Sequence, residues 1–227
     1  MKERFLVVNF KAYPAAFREE ALEVAKKAAE LAGKLSKTRI ILAVPAPMTY
    51  KIAGVYEDIY LQHLDPLGYG AHTGYIPAEA IGDLPVRGTL VNHSEHKIPF
   101  RDIAKIIDAV KRAGKEVIAC ADTPSEAAGL AYLKPDMIAI EPPELIGTGI
   151  PVSKAKPEVI TKSVEAVHRV DPEITVLAGA GISSPDDAIK AVELGAKGVL
   201  VASIVMKSKD PARSLEALAY ALEKLRQ

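Results

Sequence analysis

Short runs of apolar and β-branched residues recur along the chain, separated by stretches with helical periodicity. The runs are continuous rather than alternating with polar residues, which is typical of strands covered on both faces of a parallel sheet. We predict eight strands, near Phe5–Asn9, Arg39–Val44, Ile59–Gln62, Thr89–Asn92, Glu116–Cys120, Met137–Ile140, Ile174–Ala178 and Gly198–Val201.

Helical periodicity is clearest in four stretches, Phe17–Leu35, Phe100–Arg112, Pro157–Val170 and Pro211–Leu225. Thr123 and Ser184 each precede a proline and an early acidic residue, a pattern that marks a helix start. Gly33, Gly114 and Gly195 mark helix ends. The helices after the second and third strands are expected to be short.

Counting these two short helices gives eight strand–helix units, the number that closes a (β/α)8 TIM barrel. An open, doubly wound α/β sheet is the alternative. No Gly/Ser-rich linker or change of composition divides the chain, so we expect residues 1–227 to form a single TIM-barrel domain. The active site of such a barrel lies at the carboxyl ends of its strands.

Composition narrows the classes of function. With 29 basic and 29 acidic residues, the formal net charge is zero, which argues against nucleic acid or an anionic membrane as a partner. We find no signal pattern and no apolar run of membrane-spanning length, and expect a soluble, cytoplasmic protein. The chain has only two asparagines and two glutamines, and this depletion together with 26% charged residues suggests a thermophilic source.

Polar residues stand where several predicted strands end. Asn9 and Lys11 follow the first strand, His93 and Glu95 the fourth, and Glu141 the sixth. Taken singly, a lysine in a loop is more often solvated, and a histidine at a strand end is more often structural than catalytic. A carboxylate, an imidazole and a cation on one rim together indicate acid–base chemistry.

Small residues follow the seventh and eighth strands, at Gly181 and Ala202–Ser203. They allow backbone N–H groups to approach a phosphate, which is the usual role of this part of such barrels. After Glu141, two prolines and the run Gly147–Thr148–Gly149 predict a lid over residues 142–152. An ordinary strand-to-helix connection with a solvated glutamate is the alternative.

The sequence predicts neither a metal site nor a bound cofactor. His93 and His96 lie three positions apart, but neither cysteines nor a His-Glu-x-x-His spacing supports a zinc site. No Walker-type loop and no Gly-x-Gly-x-x-Gly segment follows the first strand. We assign no chemistry to His63, His72 or His168, and the lone Cys120 cannot form an intramolecular disulfide.

Three motifs in order along the chain resemble the triosephosphate isomerase family. They are Asn9-Phe10-Lys11, His93-Ser94-Glu95, and Glu141-Pro142 leading to Ile146-Gly147-Thr148-Gly149. The resemblance covers essentially the whole chain and is greatest to the shorter archaeal branch. It implies an isomerase that interconverts dihydroxyacetone phosphate and D-glyceraldehyde 3-phosphate through an enediol(ate), in glycolysis and gluconeogenesis.

The resemblance also implies roles for individual residues. Glu141 is expected to be the base, His93 the electrophile, Lys11 the cation and Asn9 a contact to substrate oxygens, with Glu95 beside Lys11 and His93. The phosphate and substrate contacts are expected at Asn9, Phe10, Lys11, Ile146, Gly147, Gly181, Ala202 and Ser203. Cys120 matches a family cysteine of structural use, and Ser94–Glu95 could open a short helix after His93.

The resemblance implies a homo-oligomer as well, and a tetramer for the archaeal branch. The loop of residues 64–77 after the third strand would reach into a neighbour's site, and a solvated loop is the alternative. Two other functions stay open on the residues alone. One is a Schiff-base aldolase with Lys11 as nucleophile, against which the sixth strand ends in Glu141 rather than a lysine. The other is a barrel that binds a sugar phosphate without catalysis, although a mere binder needs no base.

Overall fold

The computed structural model describes residues 4–142 and 157–225. Its centre is a closed barrel of parallel strands in sequential order. The strands are β1 (Arg4–Asn9), β2 (Thr38–Val44), β3 (Ile59–Leu61), β4 (Gly88–Val91), β5 (Glu116–Ala121), β6 (Met137–Ile140), β7 (Thr175–Ala178) and β8 (Gly198–Val201). Because β8 pairs back onto β1, with Val8 opposite Val201, the predicted (β/α)8 barrel is confirmed and the open sheet is wrong.

Helices surround this barrel. They are α1 (Glu19–Ala32), α2 (Thr49–Ala53), α3 (Phe100–Arg112), α4 (Pro124–Ala131), α5 (Pro157–His168), α6 (Pro185–Glu193), α7 (Ser203–Met206) and α8 (Pro211–Glu223), with 3₁₀ turns at Pro14–Phe17, Ala46–Met48 and Ala78–Asp83. The short helices predicted after β2 and β3 are confirmed: α2 has five residues, and a 3₁₀ turn follows β3. In the described part of the chain, no helix has the length and hydropathy of a membrane span.

The predicted helix starts and ends have clear local causes. The hydroxyls of Thr123 and Ser184 accept hydrogen bonds from backbone N–H groups three residues later, at 3.1 and 3.2 Å. Gly114 and Gly195 take left-handed φ angles of 68° and 103°, which glycine adopts at little cost. The first helix begins at Glu19 rather than Phe17, because the backbone of Arg18 is extended and separates α1 from the preceding 3₁₀ turn.

Two apolar cores lie on either side of the strands. The barrel interior holds Val7, Ile41, Ala43, Tyr60, Leu90, Ile118, Cys120, Met137, Ala139, Leu177 and Leu200, and a larger core fills the space between strands and helices. Successive strand residues point to opposite faces, so each strand contributes to both cores. Asn9 continues the inward row of Val7, and Glu141 continues that of Ala139. Both side chains are thereby directed to the carboxyl-terminal mouth of the barrel.

Candidate active site

Glu141 is a fully buried carboxylate directly after β6. Its Oε1 lies 3.2 Å from Nε2 of His93, which is also buried. In residues 4–142 and 157–225, no N–H or O–H group meets hydrogen-bond geometry with either carboxylate oxygen, and His93 Nε2 is likewise without a hydrogen-bond partner. Burial of an ionised carboxylate without donors is unfavourable, so stability alone does not account for this pair.

Gly179, directly after β7, allows the Glu141 side chain to occupy this position. A Cβ on Gly179 would lie 2.5 Å from Cγ of Glu141, closer than non-bonded carbons approach. The backbones are fixed on both sides, because Glu141 N–H donates to Ala121 O and Gly179 N–H donates to Ile140 O, each at 2.8 Å. The missing side chain at residue 179 is therefore part of how the carboxylate is positioned.

Lys11 reaches the same mouth from the other side of the barrel. Its backbone has a φ of 48°, a left-handed conformation that is uncommon outside glycine, and its N–H donates to Asn9 Oδ1 at 2.9 Å. The side-chain amide of Gln62 donates to Asn9 Oδ1 at 3.1 Å and to the carbonyls of Lys11 and Ala43 at 3.2 Å. Gln62 is a site residue that the sequence analysis missed. The signal was there, since it is one of only two glutamines and ends a predicted strand.

Glu95 links the cation to the imidazole. Its Oε1 lies 2.8 Å from Lys11 Nζ, and its backbone N–H donates to His93 Nδ1 at 3.1 Å. The residues after His93 form a turn, closed by His96 N–H donating to His93 O at 2.8 Å, in place of the short helix suggested for Ser94–Glu95. The structure thus brings together four of the residues singled out in the sequence, Lys11, His93, Glu95 and Glu141.

Opposing influences act on the His93 ring. Burial disfavours its charged form, but the nearby Glu141 carboxylate outweighs this and raises the pKa of His93. The hydrogen bond from Glu95 N–H acts the other way, because Nδ1 can accept it only while it keeps its lone pair. This bond selects the neutral tautomer with its proton on Nε2.

Cys120 lies in the barrel interior beneath this pair. It is fully buried, and burial together with the charge of Glu141 raises the pKa of its thiol well above the ordinary value. A thiol held in its neutral form is a poor nucleophile. Its surroundings therefore agree with the structural use that the family resemblance implies.

A second polar network supports the loop that follows β4. Asn92 has a left-handed φ of 61°, and its side-chain amide donates to Cys120 O at 3.0 Å and to Glu126 Oε1 at 2.8 Å. Lys97 pairs with Asp122 at 2.7 Å and with Glu126 at 2.9 Å. Asn92, which ends the fourth predicted strand, thus fastens the His93 loop to β5 and α4.

The described residues line two cavities that open at the carboxyl-terminal end of the barrel. One, of ≈190 Å³, is lined by Lys11 and Glu141 and by the small-residue turns of Gly179, Gly181, Ala202 and Ser203. Gly181 has a left-handed φ of 70°, so its turn favours glycine. The other cavity, of ≈230 Å³, is lined by Asn9, Lys11, Ala12, Gln62, His63, His93, Glu95 and His96.

Of the remaining predicted substrate contacts, Phe10 lies in the described part of the chain, and Ile146 and Gly147 do not. Phe10 is fully buried in the outer core, and its backbone N–H donates to Ala43 O at 2.9 Å. Ile146 and Gly147, with the predicted lid beyond Pro142, lie outside the described residues. Across the described ranges, no cluster of three or more His, Cys, Asp or Glu side chains is arranged to hold a metal ion.

Another cavity, of ≈560 Å³, lies at the opposite end of the barrel, between Arg39, Arg87 and Glu116. Charged groups in its lining pair with each other, Arg39 with Glu116 and Arg87 with Glu57. Unlike the carboxyl-terminal mouth, it holds no buried carboxylate that lacks donors. We therefore assign the chemistry to the smaller cavities.

Comparison with known proteins places these residues in a family context. A family model described as triosephosphate isomerase matches residues 4–219. A triosephosphate isomerase from Sulfurisphaera tokodaii is 45% identical over 217 residues, which cover 95% of this chain and 94% of that protein. Those from Archaeoglobus fulgidus and Methanothermus fervidus are 43% and 42% identical, over 94% and 96% of this chain and 96% and 98% of their own lengths.

Proposed function

This chain belongs to the triosephosphate isomerase family, and from that premise we propose that Glu141, His93 and Lys11 carry the reaction. The enzyme interconverts dihydroxyacetone phosphate and D-glyceraldehyde 3-phosphate, an intramolecular aldose–ketose isomerisation of glycolysis and gluconeogenesis. Of the functions considered from the sequence, the isomerase is thus confirmed, and the Schiff-base aldolase and the non-catalytic binder are not supported.

One observation carries the assignment of the base. The Glu141 carboxylate is fully buried, has no hydrogen-bond donor among the described residues and lies 3.2 Å from His93 Nε2. A carboxylate in this state has its lone pairs free to take a proton from carbon. A substrate with a carbonyl next to a C–H bond would satisfy both unpaired groups, because its carbonyl accepts from Nε2 while its carbon faces Glu141.

The charges of the site match the charge that develops during this reaction. Removal of a proton next to a carbonyl moves negative charge onto the carbonyl oxygen of an enediolate. Lys11 supplies a fixed positive charge, and the neutral His93 ring supplies an Nε2–H donor. Asn9 lies between Gln62 and the Lys11 backbone, from which its side chain can meet a substrate oxygen. Glu95 contacts both Lys11 and His93 and so fixes the position of one relative to the other.

The ≈190 Å³ cavity suits the phosphate end of the substrate. Small residues at Gly181, Ala202 and Ser203 let backbone N–H groups approach an anion, and Lys11 borders the same space. Ile146 and Gly147 would add amides from the lid. By closing over Glu141, the lid would also keep water from the enediolate.

The first experiment measures isomerisation of glyceraldehyde 3-phosphate, coupled to reduction of the dihydroxyacetone phosphate formed, for the wild type and Glu141→Asp. The shorter side chain withdraws the carboxylate by about one methylene, and we expect kcat to fall by roughly 10²-fold or more with little change in KM. Glu165→Asp is the matched control, since Glu165 is 68% exposed on α5. Equal changes in kcat and KM would contradict the role of Glu141 as base.

A second experiment tests the cation. Lys11→Met removes the positive charge and keeps an unbranched side chain, so it should weaken binding of a phosphate-bearing inhibitor as well as turnover. Unchanged affinity for the inhibitor would refute a cationic role for Lys11. Lys105→Met, on the exposed face of α3 with a side chain 62% exposed, is the control.

We also propose that the enzyme assembles as a homotetramer through the loop of residues 64–77. The base of this loop is closed, because Asp65 Oδ2 accepts the N–H of Ile76 at 2.7 Å. Its Tyr69 and Tyr75 are 62% and 58% exposed, and aromatic side chains of this kind are enriched in interfaces. A monomer measured by light scattering at micromolar concentration would overturn this proposal. A cytoplasmic location and a thermophilic source remain part of the proposal.

A further inference from the structure

Two histidines outside the proposed catalytic set stack on each other at the edge of the site. The ring centroids of His63 and His96 are 4.1 Å apart, and the ring planes are inclined by 24°. His63 lies in the loop after β3, and His96 ends the turn that begins at His93. Both line the ≈230 Å³ cavity that also contains Lys11 and Glu95.

We propose that the His63–His96 stack is a positioning contact that sets the turn of His93 and Glu95 against Lys11. The inference rests on the proposed roles of His93 and Lys11. Neither stacked ring needs to touch the substrate, since each acts through the loop that carries it. The contact exists because this chain has a histidine at both residue 63 and residue 96. Neither histidine was assigned a function from the sequence.

The contact matters because the proposed reaction uses Lys11, on one side of the stack, and His93, on the other side. Gln62, the residue before His63, hydrogen-bonds Asn9 and the Lys11 carbonyl, so the β3 loop is fixed to the β1 loop. His96 N–H donates to the His93 carbonyl, so movement of His96 is passed to the catalytic imidazole. The stack therefore connects the loop that is fixed to Lys11 with the turn that carries His93. Relative shifts of about 1 Å at reacting groups are enough to lower turnover.

Protonation should loosen the stack. Two imidazolium rings at this separation repel. Lys11, which faces the same cavity, adds positive charge, and His93 adds more once it is protonated, while Asp65 and Glu95 offset part of it. Burial of His63, together with the charge of His96, lowers the pKa of His63 below its ordinary value of 6.5, although Asp65 opposes this. A histidine with a lowered pKa contributes stability at higher pH. The contribution is lost as the pH falls below about 6.5, because the unstacked ring binds the proton more readily.

The test compares His96→Ala with His96→Phe in the full-length enzyme. Phenylalanine keeps a stacking ring without titration, whereas alanine removes the ring. At pH 7.5 we expect His96→Ala to lose about threefold to tenfold in kcat, in line with the modest strength of a partly exposed ring stack, while KM and inhibition by inorganic phosphate stay nearly constant. His96→Phe should stay within about twofold of wild type. Between pH 7.5 and 5.5 its kcat should also fall less steeply than that of the wild type.

Further variants distinguish a positioning role from a general effect on folding or assembly. His168→Ala, in α5 at the opposite end of the barrel, is the matched control and should leave kcat unchanged. His93→Gln run alongside tests the proposed function itself: if it keeps full turnover, the role of His93 fails independently of the stack. Equal loss of kcat in the alanine and phenylalanine variants, no loss in either, or a loss that accompanies a changed molar mass in light scattering would each overturn the positioning role.

Discussion

Charged side chains cluster at both ends of the barrel, but their hydrogen-bonding partners differ. At the amino-terminal end, Arg39 forms paired hydrogen bonds with Asp58 at 2.7 and 2.8 Å and with Glu116 at 2.7 and 3.1 Å. Tyr60 donates to the same Glu116 carboxylate. At the carboxyl-terminal end, the Glu141 carboxylate has no such donors in the described chain.

This difference separates a stabilising cluster from a reactive one. Charges that are paired and hydrogen-bonded at the start of β2 and β5 tie distant strands together, and removing one of them leaves the others without a partner. A carboxylate without donors costs stability and keeps its lone pairs available. Charged groups at one end of the barrel should therefore affect folding, and those at the other end should affect turnover.

The largest expected effect is on turnover, at Glu141. Glu141→Gln keeps the shape and removes the base, so kcat should fall by about 10³-fold. Loss of a buried charge without donors should at the same time raise the free energy of unfolding, by about 1 kcal/mol. Steady-state kinetics and urea denaturation measure the two effects, with the exposed Glu165→Gln as control. A variant that is clearly less stable than wild type would contradict the comparison.

The opposite result is expected at Arg39. Arg39→Met leaves Asp58 and Glu116 without their cation, and the free energy of unfolding should fall by about 2–3 kcal/mol, because the cluster is only partly exposed. The folded enzyme should keep nearly all of its kcat. Arg101→Met, at a side chain 82% exposed, should change neither quantity. If Arg39→Met lowered kcat more than stability, the two ends would not be functionally separate.

Substitution of Gly179 should have a smaller and purely steric effect on turnover. Gly179→Ala places a Cβ 2.5 Å from Cγ of Glu141 and should displace the carboxylate, lowering kcat by about tenfold to hundredfold. Gly129 is the matched control, since a Cβ there meets nothing within 4 Å. Gly129→Ala in helix α4 should leave kinetics unchanged and raise the free energy of unfolding by about 1 kcal/mol. Equal kinetics for the two variants would show that Gly179 does not position Glu141.

The smallest expected effect is a pH dependence at the amino-terminal end. Partial burial opposes ionisation of Glu116, but hydrogen bonds from Arg39 and Tyr60 outweigh it and lower the pKa of Glu116 below 4.5. A lowered carboxyl pKa contributes stability above pH 4.5 that is lost as the pH falls further. Because the side chain is 37% exposed, we expect less than about 1 kcal/mol, measured as the difference in unfolding free energy between wild type and Glu116→Gln from pH 6 to 3. A difference that does not change with pH would contradict the assignment.

Most of the fold could be predicted because local signals agreed with it. Each apolar run became a strand within one or two residues, and β6 and β8 have the predicted bounds. Thr123 and Ser184 cap the helices that their spacing indicated. Eight strand–helix units then left barrel closure as the favoured arrangement.

Contacts across the barrel could not be predicted in the same way. Arg39, Asp58 and Glu116 are brought together by the stagger of strands around the barrel, which no local pattern encodes. The stack of His63 on His96 depends on how two loops approach, and spacing alone gives no indication of it. The strand-end positions predicted Glu141 and His93 on one rim, but their separate roles as base and electrophile came only from the family resemblance.

The seam between β1 and β8 has a consequence for the order of folding. Phe5 pairs with Gly198, nearly the whole chain apart, whereas the other strand pairs join sequence neighbours. Closing the longest loop costs the most chain entropy, so we expect this seam to form last. Lys11 follows β1 and Ser203 follows β8, so the phosphate cavity is completed only when the seam closes. Until then two unpaired strand edges are open to other chains, which makes late folding intermediates the species most prone to aggregate.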